Sequence, residues 1–238
     1  MCSAGERRLG RSGITSDDER TGVIACNLIG AKRVLCLGAH SDDIEIGCGG
    51  TILRLIESSA DLEFYWLILS SNPERAREAQ RSARAFLRRV RKKTIVVKSF
   101  RDGFLPHLGA PVKECFEEIK SFAPDVIFTH TRHDLHQDHR LLCELTWNTF
   151  RNHFILEYEI PKYDADLRSP NFFVPLSPSV SRRKVEFLMR YFGTQRNKQW
   201  FSEDLFLGLL RLRGIEAASP TRFAEAFHCR KLLLGKAC

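Results

Sequence analysis

The sequence predicts an α/β fold, a Rossmann-like parallel sheet with helices on both faces, and three observations carry that expectation. From Arg33 onward, apolar runs of strand length alternate with longer amphipathic stretches. Two clusters of chemically active residues each follow directly on such a run. The chain has 238 residues, 43% apolar and 10% aromatic, enough to bury one large core.

Residues 1–30 are polar, rich in Gly, Ser and Arg, and show neither the strand nor the helix period, so they are expected to form a flexible N-terminal extension ahead of a single domain over residues 31–238. Within that domain the runs Val34 to Ala39, Phe64 to Leu69, Thr94 to Val97 and Val126 to Thr129 have the length and composition of buried strands. Helices are expected between them: Gly49 to Ser59, with Ile52, Leu55 and Ile56 at helical spacing; residues 73–91, long and basic; and Val112 to Phe122, with Val112, Cys115, Phe116 and Ile119 on one side. Strands that alternate with helices imply right-handed crossovers and a sheet covered on both faces. Beyond Leu145 the pattern becomes irregular. Tyr158 to Tyr163 reads as an edge strand or loop, Pro170, Pro175 and Pro178 punctuate a long connection, helices return near Arg182 to Phe192 and Ser202 to Arg213, and an apolar run closes the chain from Phe223 to Leu234.

Composition excludes several classes. No stretch of 18 uncharged apolar residues exists, and the N-terminal Glu6, Arg7, Arg8 and Arg11 are not followed by an apolar segment, so neither a membrane span nor a secretory signal is expected and the protein is assigned to the cytoplasm. Eight cysteines without a CxxC pair or regular spacing argue against a zinc ribbon and a disulfide framework. The net charge of +8 concentrates in residues 74–93; a solvated basic helix face explains it better than a nucleic-acid site does. The composition is compatible with a homo-oligomer.

The first chemical cluster is Gly38-Ala39-His40-Ser41-Asp42-Asp43, followed by Glu45 and a run containing Gly47, Gly49 and Gly50 that would let backbone approach a ligand. Adjacent carboxylates repel unless a cation lies nearby, and a divalent metal is such a cation. The plain alternative is that Ser41 or Asp42 caps the next helix. The second cluster, Thr129 to Arg140, holds His130, His133, His136 and His139. His130 and His133 read individually as ordinary core or surface residues, whereas His136 and His139, three apart, can face one site from the start of a helix. Asp138 between them is expected to hold His136 or His139 in the right tautomer. Both clusters follow strand candidates, which places them on the carboxyl rim of the sheet, where ligands bind in open α/β folds. Two histidines and an aspartate would satisfy a catalytic zinc site and leave one position for water.

His40-Ser41-Asp42-Asp43 with Glu45 and Gly47-Cys48-Gly49-Gly50, and His136-Gln137-Asp138-His139-Arg140 downstream, resemble the LmbE/PIG-L family of zinc-dependent N-deacetylases. The likeness extends over residues 32–234 and takes in Arg75 and Glu78, Asp102-Gly103, Tyr158-Glu159-Ile160-Pro161 and Ala224-Glu225-Ala226-Phe227. The resemblance implies that His40, Asp43 and His139 bind zinc, or another divalent transition metal, that Asp42 is the general base, and that His136 stabilises the oxyanion and helps protonate the leaving amine. By the same analogy Arg75 and Asp102 contact substrate. Ser41 stands where the family usually has proline, which loosens the loop without removing a ligand. The implied activity is hydrolysis of the acetamide of an N-acetylated sugar or sugar conjugate, nucleotide-linked substrates included. The rivals are a zinc amidase of another acylated small molecule and a non-catalytic basic protein that binds nucleic acid or an anionic partner.

Overall fold

The computed structural model describes residues 26, 30–59 and 61–233. The expected N-terminal extension therefore lies almost entirely outside the described residues, as does the end of the closing apolar run. The expected strands form where the apolar runs lie: β1 (Arg33–Gly38), β2 (Glu63–Ser70), β3 (Lys92–Phe100) and β4 (Val126–His130). β5 (Phe154–Tyr158), β6 (Phe172–Leu176) and β7 (Phe223–Cys229) complete a seven-stranded sheet in the order β3-β2-β1-β4-β5-β7-β6. β1 to β5 pair in parallel, while β7 runs antiparallel to both β5 and β6.

Among the described residues six α-helices accompany the sheet: α1 (Asp43–Ser58), α2 (Pro73–Phe86), α3 (Gly109–Ile119), α4 (Gln137–Thr149), α5 (Pro178–Tyr191) and α6 (Glu203–Glu216). The alternation of β1 divides its side chains between two cores. Leu35 and Leu37 join Leu67, Leu69, Ile127, Val112, Phe116 and Leu142 beneath α3 and α4. On the other face Trp66 of β2 packs on Phe86 of α2, and α5 packs on α1 and α2. Helices on both faces bury the sheet, as parallel pairing requires.

Three expectations need correction. α1 begins at Asp43, six residues before Gly49, and α2 ends at Phe86 instead of running to 91. Beyond α2 the Lys93 ammonium donates to the carbonyls of Leu87 and Val90, which supports the turn there. Of the Tyr158 to Tyr163 stretch only Tyr158 lies in a strand, the end of interior β5, and the rest is loop, one of the two forms expected for it; the third correction is the proline-punctuated connection, which contains β6, an edge strand where Pro175 is tolerated.

The glycines of α1 serve packing, not ligand approach. A Cβ on Gly47 would lie 2.1 Å from Tyr158 Cδ2, and one on Gly50 would lie 2.4 Å from Leu176 Cδ1. Their absence lets α1 settle on β5 and β6, where the Glu225 carboxylate accepts from the backbone N–H groups of Gly50 (2.7 Å) and Thr51 (2.6 Å) and pairs with the buried ammonium of Lys184 at 2.6 Å. This fastening fixes the helix whose first turn carries the chemical residues.

Candidate metal centre

The order of the sheet reverses at β1: β2 and β3 lie to one side, β4 and β5 to the other. Such a switch point opens a crevice beyond the carboxyl ends of the two central strands. His40 to Asp43 leave β1 at this point, and His130 to His139 leave β4, so the fold brings together the two clusters singled out in the sequence. Arg75 arrives on the first turn of α2, after β2, and Asp102 on the loop after β3.

Three donor atoms converge. His40 Nδ1 lies 3.0 Å from His139 Nε2 and 3.4 Å from Asp43 Oδ2, and His139 Nε2 lies 3.5 Å from the same oxygen. All three residues are buried. The far nitrogens of both rings face carboxylates: His139 Nδ1 donates to Asp134 Oδ2 at 2.8 Å, and His40 Nε2 faces Asp138 Oδ2 at 3.2 Å and Asp102 Oδ1 at 3.1 Å. With its far nitrogen protonated, the neutral His139 turns a lone pair toward the triangle, and His40 would do the same on giving up the second proton that its raised pKa lets it hold. Two such nitrogens and a carboxylate oxygen form a donor set for one cation. A tetrahedral metal about 2.0–2.1 Å from each ligand would separate the ligand atoms by about 3.3–3.4 Å, close to the triangle observed. The donor set fits a zinc-type ion.

The electrostatics agree with a site built for positive charge. Burial alone would raise the Asp43 pKa, but His139, His130 and His40 together hold it well below the usual carboxylate range. Burial lowers the His139 pKa, helped by the charge of His130, to about 3, so this ring stays neutral and available as a ligand. For His40, burial acts to lower the pKa, and Asp43, Asp102 and Asp138 outweigh it, holding the pKa well above the ordinary value.

Asp42 occupies the N-cap position of α1 but makes no capping hydrogen bond. The Arg75 guanidinium donates instead to its Oδ1 at 2.7 Å. Burial raises the Asp42 pKa, with Arg75 acting against it. Ser41 Oγ has no hydrogen-bond partner either, so neither candidate for helix capping fills that role. Glu45, in the first turn of α1, is fully buried, and burial pushes its pKa well up, with Ser82 acting against it.

His136 is the N-cap of α4, and its Nδ1 accepts the backbone N–H of Asp138 at 3.2 Å. The neutral ring therefore carries its proton on Nε2. Burial and the neighbouring His40 hold its pKa below the ordinary value. Its centroid lies 4.8 Å from that of His40 and 4.6 Å from that of His139. Asp102 is exposed at the mouth, 3.8 Å from the Arg75 guanidinium, and its hydrogen bond to His40 lowers its pKa to about 2.

Two assignments differ from the sequence expectation. The Asp138 carboxylate meets His40, not His136 or His139, and also accepts from the backbone N–H groups of Gly103 (2.7 Å) and Leu105 (3.1 Å). Asp134 takes the place expected of Asp138 beside His139. His130, read as an ordinary residue, is fully buried, stacks on His139 with centroids 3.8 Å apart, and sets Nε2 3.0 Å from Asp43 Oδ2. Its Nε2 is also within hydrogen-bond distance of the Ala39 N–H and the Tyr158 hydroxyl, both at 3.2 Å, so it backs Asp43 from the protein side. The available signal was its place at the carboxyl end of an otherwise apolar strand. His133 is exposed.

Fold and site together describe an α/β protein whose switch point gathers two histidines and one aspartate in an arrangement that could hold a metal ion. Residues 35–150 match the model of the PIG-L family, described as GlcNAc-PI de-N-acetylase. Among solved structures, N,N'-diacetylchitobiose deacetylase from Pyrococcus horikoshii is 21% identical with a TM-score of 0.66, the match covering 84% of each chain. The conserved protein TT1542 from Thermus thermophilus is 19% identical with a TM-score of 0.68, over 85% of this chain and 96% of that one. GalB, the 4-carboxy-2-hydroxymuconate hydratase from Pseudomonas putida, is 15% identical with a TM-score of 0.68, over 87% of this chain and 99% of that one. At these identities the likeness establishes the fold.

Proposed function

We propose that the protein is a metal-dependent N-deacetylase that hydrolyses the acetamide of an N-acetylated sugar or sugar conjugate, with zinc as the metal. The observation that carries this reading is the convergence of His40 Nδ1, Asp43 Oδ2 and His139 Nε2 next to a carboxylate, Asp42, that is held by Arg75 and left free of helix capping. The PIG-L family match supports it, and so does the chitobiose deacetylase among the structural neighbours. GalB carries a hydratase on the same fold, so the fold alone does not choose the reaction.

His40, Asp43 and His139 would hold the metal. When bound, it supplies Lewis acidity, polarising the acetamide carbonyl and making water a better nucleophile at neutral pH. Asp42 accepts the proton of the attacking water, and Arg75 keeps the carboxylate aimed and ionised for that purpose. His136 offers Nε2–H to the oxyanion that develops on the former carbonyl, an interaction stronger with the tetrahedral species than with the planar amide. The proton taken up by Asp42 returns to the departing nitrogen, toward which His136 also points a donor, and acetate and an amine are released. Asp138 fixes His40, while Asp102 and Arg75 border the entrance that a sugar would use.

Acetate release from a panel of N-acetylhexosamines, their oligomers and nucleotide-linked forms tests this reading, with metal-loaded protein and Asp42→Ala as the control. Turnover of at least one member by the wild type and loss of it in the variant is the expected result. Absence of acetate from every member, with zinc bound, would refute the deacetylase assignment.

No helix among the described residues is long and apolar enough to cross a membrane.

A further inference from the structure

Lys162 lies on the connection after β5, and its ammonium is almost withdrawn from solvent. It sits 3.0 Å from Asp134 Oδ1, 2.5 Å from Asp166 Oδ2 and 3.6 Å from Asp164 Oδ2. Asp134 is 1% exposed, and its other oxygen receives the proton-bearing Nδ1 of His139 at 2.8 Å. A line of direct contacts therefore runs from Lys162 through Asp134 to His139, the ligand on α4.

We propose that Lys162 is a positioning residue for the metal centre: by holding the Asp134 carboxylate it fixes the tautomer and aim of His139, and so sets how tightly the site binds its metal. The proposal rests on the reading of His40, Asp43 and His139 as the metal ligands.

Three observations carry it. First, Asp134 has few other restraints on its orientation. Besides His139 it accepts only the backbone N–H of His136, at 2.8 Å, so the ammonium is the one cationic side chain among the described residues that pairs with it from the side away from the metal. Second, Asp134 and Asp166 are two buried carboxylates within 3.0 Å of one nitrogen. Without the ammonium they would repel at short range in a poorly solvated place, and turning apart relieves the repulsion. That movement loosens the partner of His139. Third, the surrounding loop is shaped to deliver this contact. Ala165 adopts φ +52°, a left-handed conformation costly for a residue with a Cβ, and this turn brings Asp166 back to Lys162 and to the backbone N–H of Leu135 at 2.8 Å. Leu135 is the next residue after Asp134, so the loops after β4 and β5 are clamped at the point where the metal-ligand partner sits.

Lys162 is not placed to act on substrate. Its ammonium faces three carboxylates, and its contact with the metal centre passes through Asp134. Carboxylate partners of metal-bound histidines commonly govern affinity by about 10–100-fold. The expectation here is that removing the support of such a partner costs about 10-fold.

The test is zinc affinity, measured on metal-free full-length protein by titration against a chromophoric chelator, with the metal alone as probe. Lys162→Met should weaken binding about 10-fold or more, and Lys162→Arg, which keeps the charge, should restore it to within a few-fold of the wild type. The His139 Nδ1–H proton resonance, sheltered by its bond to Asp134 in the metal-free wild type, should broaden or vanish in Lys162→Met and persist in Lys162→Arg. Should Lys162→Met fail to fold, Asp166→Asn, which weakens the hold on Lys162 from the far side, should still lower affinity measurably. Unchanged affinity and an unchanged Nδ1–H resonance in Lys162→Met would overturn the proposal while leaving the metal centre standing. A lower melting temperature with unchanged affinity would also overturn it, because that would make Lys162 a loop brace only. Failure of the wild type to bind zinc at all would instead refute the ligand assignment, and this proposal with it.

Discussion

The Arg75 guanidinium donates to Asp42 Oδ1 at 2.7 Å across 33 residues of sequence, tying the first turn of α2 to the turn that precedes α1. The α2 end of this contact is well fixed. Asn72 caps the helix by accepting from the N–H groups of Glu74 and Arg75, and the buried Glu78 carboxylate accepts from the N–H (2.9 Å) and hydroxyl (2.6 Å) of Thr194. Arg75 therefore supports Asp42, the base in the proposed reaction, before it contacts any substrate. Arg75→Leu should lower kcat/KM for acetate release by about 10–100-fold, because an opposite charge at this distance shifts a carboxylate by about 1–3 pKa units. Zinc content, checked by elemental analysis, should stay at the wild-type level. Parallel loss of metal would show that Arg75 holds the ligand set and not the base.

Metal removal gives a second prediction that requires no substrate. A ligand at 100 times its dissociation constant stabilises the folded state by about 2.7 kcal/mol, and in a domain of this size each kcal/mol moves the melting temperature by about 2–4 °C. Zinc should therefore raise the melting temperature of chelator-treated protein by about 5–10 °C. In His139→Ala the rise should disappear. If that variant still responds fully to zinc, the ion binds elsewhere.

What the sequence made legible is local. β1 to β4 were visible because each is a short apolar run, and the His40 to Asp43 and His136 to His139 clusters because their members are sequence neighbours at strand ends. What it hid depends on contacts between distant segments. The start of α1 was obscured by Gly47, Gly49 and Gly50, which lower helix propensity and whose reason, the approach of Tyr158, Phe86 and Leu176, comes from elsewhere in the chain. β6 and β7 were obscured because their antiparallel pairing joins segments on opposite sides of α5 and α6. The exchange of roles between Asp134 and Asp138 belongs to the same class: both aspartates stand near His139 in sequence, and only the path of the loop from β4 decides which carboxylate reaches which ring.

The glycines provide a paired stability prediction. Gly47→Ala places a methyl 2.1 Å from the buried Tyr158 ring, so a helix or a strand must shift, at a cost of about 1–3 kcal/mol or more. Gly208, inside α6, has nothing within 4 Å of the same construction. Gly208→Ala should therefore stabilise the protein by about 0.5–1 kcal/mol through helix propensity. Urea unfolding of both variants checks the pair; destabilisation by Gly208→Ala would show that α6 carries a constraint absent from its contacts.

Acid sensitivity should depend on Glu157, which is fully buried near the end of β5. Its carboxylate pairs with the Arg230 guanidinium (2.5 and 2.8 Å) and accepts from Trp147 Nε1 (2.7 Å) and the Arg132 N–H (3.1 Å). Burial works to raise its pKa, and these four contacts outweigh burial and hold it below the ordinary value. A carboxylate whose folded pKa lies below its unfolded value of about 4.3 stabilises the fold fully above that pH, and the contribution is lost as pH falls through the folded pKa. Glu157→Gln should accordingly flatten the decline in stability below about pH 4. Arg230→Met removes the strongest of the opposing contacts, so the folded pKa rises and the acid-unfolding midpoint moves to higher pH. At neutral pH the same variant should lose on the order of 2 kcal/mol, less than the usual cost of breaking a wholly buried pair because Arg230 keeps part of its surface in water. Chemical denaturation repeated between pH 3 and pH 7, spanning the ordinary glutamate pKa, measures both effects. An acid midpoint unmoved by Arg230→Met would mean that the Trp147 and Arg132 donors suffice to keep Glu157 ionised.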